Sequence, residues 1–113
     1  YPFNGGCQWA QIEDIDETHF EYVCALGILS HQAGADHRGF IRSALYHMFE
    51  AAEGGSVGTK LACPVLSAGW RLPAIDALYL MVAEAERFVS DRVELHIAEI
   101  DPKRYAQFRT IVG

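Results

Sequence analysis

The sequence predicts a small α/β domain on a mostly parallel sheet of about four strands with flanking helices. Three observations lead there. Apolar or alternating runs of strand length recur along the chain, and the later ones are separated by stretches whose apolar residues share one helical face. Gly, Pro and Asp stand at the joins, where turns and helix ends need them. At 113 residues the chain suits a single core, so residues 1–113 are read as one domain. Strands that alternate with helices long enough to cross over favour parallel pairing.

Each element has its own signal. "GGCQWAQIED" is strand-like after a glycine turn, and residues 21–29, within "FEYVCALGIL", form a stronger buried strand. "SHQAGADHRG" gathers turn formers and reads as a loop, with Asp36 as helix N-cap. Phe40, Ile41, Ala44, Leu45, Met48 and Ala52 then share a helical face up to Gly54 and Gly55. "KLACPVL" is a short strand, its pairing limited by Pro64. Pro73 suits a first helical position, and Ile75, Leu78, Val82, Ala85 and Val89 mark the apolar face that follows. "SDR" closes that helix. "VELHIAEI" alternates as a one-faced strand, and Asp101-Pro102 starts a last helix with Tyr105, Phe108 and Ile111 or Val112 inside.

Composition narrows the function. The formal charge is −6 and only nine residues are Lys or Arg, scattered along the chain. That argues against nucleic acid, whose phosphates call for clustered cations. No apolar run approaches the ~20 residues that span a bilayer. Cys7, Cys24 and Cys63 form neither a C-x-x-C pair nor a zinc spacing. Cys24 and Cys63 lie in apolar runs and read as reduced core thiols, which suggests a cytoplasmic setting. The chain opens on Tyr1, as expected of a processed chain or a piece of a longer polypeptide, and no signal peptide is visible. No cofactor is expected.

The stretch "CPVLSAGW" carries the leading functional expectation. At the carboxyl end of a parallel strand, backbone N–H groups and the next helix N-terminus face the crevice where α/β ligands bind. Ser67, Ala68 and Gly69 would let an anion reach those donors. Ser67 would add a hydroxyl, Trp70 a stacking wall and Arg71 a cation. The plainer alternative is that Gly69 makes a turn and Trp70 plugs the core.

In the order of its elements the chain resembles the C-terminal part of a macro domain, the α/β module that binds ADP-ribose. "EYVCALGI" is similar to the family's central strand and "FIRSALYHMFEAAE" to the helix after it. "LACPVLSAG" resembles the next strand and phosphate loop, "PAIDALYLMVAEAERF" the following helix, and "VELHIAEIDPKRYAQF" the closing strand and terminal helix. The resemblance spans residues 6–112. It implies a phosphate-bearing ligand at Ser67, Ala68, Gly69 and Trp70, without catalysis. The family's first strands, its adenine-binding acid and its Asn- and Gly-rich loop have no counterpart in the sequence, so its catalytic residues cannot be carried over. The leading expectation is therefore a reduced, non-catalytic module that binds an ADP-ribose-type nucleotide or a protein partner.

Other readings compete. A cysteine hydrolase would use Cys7 as nucleophile and His31 or His37 as base, but no family signature surrounds Cys7. His31, Asp36 and His37 match no usual zinc spacing, so no metal site is expected. The acidic run "IEDIDETHFE" reads as a solvated turn between strands. His47 and His96 are expected to face outward. Frequent aromatics, and Leu80 and Met81 off the main apolar face of their helix, suggest a homodimer or an oligomerising structural domain without ligand.

Overall fold

A computed structural model describes residues 3–11, 22–55, 59–66, 71–88, 92–99 and 101–112. In chain order the elements are β1 (Cys7–Gln11), β2 (Tyr22–Leu26), α1 (His37–Glu53), β3 (Lys60–Pro64), α2 (Ala74–Arg87), β4 (Glu94–Ala98) and α3 (Pro102–Val112). The sequence predicts this succession. His37, assigned to the loop by sequence, is instead the first residue of α1.

The expected four-stranded, mostly parallel sheet does not form. β1 and β2 pair antiparallel, from Cys7 opposite Leu26 to Gln11 opposite Tyr22. β3 and β4 pair parallel, from Lys60 opposite Glu94 to Pro64 opposite Ala98, and the two pairs are separate two-stranded sheets. Parallel pairing needs a crossover of a dozen or more residues, usually a helix. That condition holds for β3, α2 and β4. β1 and β2 are consecutive strands with no described helix between them. Burial alternates along the strands, as in Cys7 and Trp9 inward against Gln8 and Ala10 outward. This is the pattern of sheets covered on one face, whereas a doubly wound parallel sheet is buried on both. The macro-like topology expected from the sequence is overturned with the four-stranded sheet.

α1 organises the core. Its Ile41, Leu45, Met48, Phe49 and Ala52 are joined by Leu61, Leu72, Leu80 and Met81. Half-buried Trp9, Cys24 and Leu26 from the first sheet pack onto this cluster, as do Cys63, Leu95 and Ile97 from the second. The two sheets thus share one hydrophobic core without sharing a hydrogen-bond ladder. α1 is held at both ends by its sequence. The Asp36 carboxylate accepts from the Gly39 N–H at 3.0 Å, and Gly54 and Gly55 close the last turn, the latter at φ +77. A residue with a Cβ resists that left-handed conformation.

The faces of α2 and α3 differ from the prediction. α2 buries Ala77, Leu78, Leu80, Met81 and Glu84, while Ile75, Val82 and Ala85 are only half-buried. It packs against both α1 and α3, so its buried surface is wider than one stripe. Leu80 and Met81, the off-face pair that suggested a partner, are covered within the chain. Pro73 stands just before the first helical residue, one place earlier than predicted. On α3 Phe108 is buried as expected, but Tyr105 is 51% exposed. His47 and His96 face outward. Among the described residues no helix is long and apolar enough to cross a membrane.

Candidate functional site

Two segments meet where strands give way to helices. One, residues 27–36, leads from β2 to α1; the other, residues 71–73, leads into α2. The first is shaped by its own short bonds. Gly34, at φ +75, sits in a turn in which the Ala35 N–H donates to the Gln32 carbonyl at 3.3 Å. The Gln32 N–H donates to Ser30 Oγ at 3.1 Å. His37 Nε2 lies 3.0 Å from the Ser30 carbonyl oxygen and 3.3 Å from the Ser30 backbone nitrogen. That contact anchors the loop to the first turn of α1.

The second segment is tied to the first through side chains. Arg38 Nη2 donates to Asp76 Oδ2 at 3.2 Å, linking the first turn of α1 to that of α2. Arg71 Nη2 donates to His31 Nδ1 at 3.1 Å. The two ion-pairing groups Arg38 and Asp76 offset each other. Arg71 does not share that neutralisation: among the described residues no carboxylate pairs with it, and its partner is an imidazole. The exposed Arg71 guanidinium therefore contributes positive potential at this corner.

This corner contains part of each predicted site. Ser67, Ala68, Gly69 and Trp70 lie outside the described residues. Arg71, the last member of that group, is exposed and placed against His31, a residue of the alternative cysteine-hydrolase set. Cys7 lies at the same end of the first sheet, opposite Leu26. Cys24 is its diagonal neighbour on β2. Neither His31 nor His37 makes a hydrogen bond to Cys7 among the described residues. The geometry therefore brings Arg71 to His31 and leaves Cys7 apart from both histidines.

The other two thiols are unreactive in character. Cys24 is pushed up to about 12, first by burial and then by the neighbouring Cys7 thiol. Burial pushes Cys63 up to about 11. A thiol so raised is almost wholly protonated near neutral pH, and the thiolate is the nucleophile. Among the described residues no group of three or more His, Cys, Asp and Glu is placed to hold a metal ion.

Sequence reasoning missed two features. The Arg71–His31 contact joins residues 40 positions apart, so local pattern carries no trace of it. Glu84 is a carboxylate only 5% exposed, paired with Arg87 Nη1 at 3.3 Å on the same helix. Its signal was present: Glu and Arg three apart are neighbours on a helix surface, and Leu80, Met81, Ala85 and Phe88 enclose the position in sequence.

No protein-family model matches the chain, and no curated protein matches it significantly. The functional reading therefore stands on the residues themselves.

Proposed function

We propose that this chain is a non-catalytic binding domain whose ligand carries a phosphate group, in the manner of a nucleotide, and docks at the Arg71–His31 corner. The observation that carries the reading is the 3.1 Å contact between Arg71 and His31, which holds an exposed guanidinium against an imidazole nitrogen rather than a carboxylate. An arginine fork matches a phosphate in shape and charge and binds it with strong, charge-assisted hydrogen bonds.

The test is an amide NMR titration of the full chain with inorganic phosphate, ADP and ADP-ribose. Binding should perturb residues 28–38 and 71–76 together, and Arg71→Gln should weaken it about tenfold or more. If none of the three perturbs these segments at millimolar concentration, the binding role is excluded. If phosphate perturbs them as strongly as the nucleotides, the phosphate is the recognised part and the nucleoside adds nothing.

A further inference from the structure

We propose that anion binding at this corner takes up a proton on His31, so that the site fills as the pH falls. This inference rests on the binding reading above and adds its regulation.

Donor and acceptor chemistry carries the argument. A guanidinium has five N–H donors and no acceptor. The contact between Arg71 Nη2 and His31 Nδ1 at 3.1 Å therefore requires a bare lone pair on Nδ1. A neutral ring with its proton on Nε2 meets that requirement. Protonating Nδ1 in the free protein would remove the bond and set two cations against each other. An anion reverses that preference. One of its oxygens accepts from Arg71, and a second accepts from an N–H at Nδ1 once the ring has taken a proton from solvent. The ligand gains a second charge-assisted bond, and the cations then face an anion between them.

His31 is the titratable group in direct contact with Arg71. The charged and titratable side chains on the segments meeting here are Arg71, Asp36, His37 and Arg38, with Asp76 from α2. Asp36 is engaged with the Gly39 N–H and Asp76 with Arg38. His37 Nε2 is occupied by the Ser30 backbone. Arg71 is the charged group in contact with His31. Because the protonated ring is the form that holds the anion, affinity rises as pH falls and declines as pH rises.

Sodium sulfate is the probe, since it is a dianion at both pH values tested. Its affinity for the full chain is followed by amide NMR at about pH 6 and about pH 8. The wild type should bind several-fold more tightly at the lower pH, with about tenfold per unit as the one-proton limit. His31→Gln, an exposed substitution whose amide spectrum verifies the fold, should bind at the weaker affinity at both pH values. Arg71→Gln should lose binding at both. Sulfate affinity that is equal at the two pH values overturns the proton uptake alone, and so does full pH dependence in His31→Gln. Failure of sulfate to perturb residues 28–38 and 71–76 at either pH overturns the uptake together with the binding reading.

Discussion

Ser43 on α1 donates its hydroxyl to the backbone carbonyl of Gly5 at 2.6 Å. Gly5 is at φ +85, and a Cβ there would lie 3.1 Å from the Ser43 side chain. Its N–H donates to the Gly27 carbonyl at 2.6 Å, and the Gly27 N–H returns a bond to Gly6 at 2.9 Å. Glycine is thus needed here both for its conformation and for its lack of a side chain.

This contact predicts a graded loss of stability. Ser43→Ala leaves a buried carbonyl without its hydroxyl donor and should cost about 1–2 kcal/mol. Gly5→Ala adds backbone strain to steric contact and should cost at least as much. Urea denaturation measures both. Unchanged midpoints would remove Ser43 as the tie between α1 and the first sheet.

The start of α1 predicts a coupling between Asp36 and Gly39. Asp36→Ala should cost about 1 kcal/mol, the usual worth of an N-cap. Gly39→Ala would ordinarily stabilise a helix by about 1 kcal/mol. Here the new methyl would run into the Asp36 carboxyl group, so the cap must shift and the gain disappears. In the Asp36→Ala background the gain should return. A double-mutant cycle with additive effects would contradict this account.

The thiols predict a loss of stability in alkali. Cys63 is raised from its ordinary value of 9.0 to about 11 by burial, and Cys24 to about 12. Above the unfolded value the unfolded chain releases thiol protons that the folded chain retains. Stability from these thiols is therefore complete below about pH 9 and declines as pH rises toward about 11 to 12. Denaturation midpoints across that window measure the decline, and Cys63→Ala should make it shallower. A Cys63 variant with the wild-type slope would assign the alkaline loss to other groups. In the same spirit, Cys24 and Cys63 should resist iodoacetamide near neutral pH unless the chain is unfolded first.

Local pattern was enough to identify which segments become strands and helices, because those choices depend on neighbours close in sequence. The apolar face of α1, the Asp36 cap and the glycine stop are properties of single segments. So are the alternation of β4 and the Asp101 side chain that accepts from the Lys103 N–H. The helix faces were less legible. α2 meets both α1 and α3, and Leu80, Met81 and Glu84 are buried away from the stripe centred on Leu78, the first two in the core cluster that α1 organises.

For the candidate site, residue types were legible and their partnership was not. Arg71 could be recognised as a cation after a strand and His31 as a titratable loop residue. Their contact arises when the two loops meet. The sequence by itself determined the succession of elements, the acidic balance and the supply of chemical groups, since each depends on composition or on spacing within one segment. Tertiary structure decided that the strands form two separate pairs and that Arg71 faces His31. Such pairings depend on which distant surfaces exclude water together, and short-range periodicity contains no term for that choice.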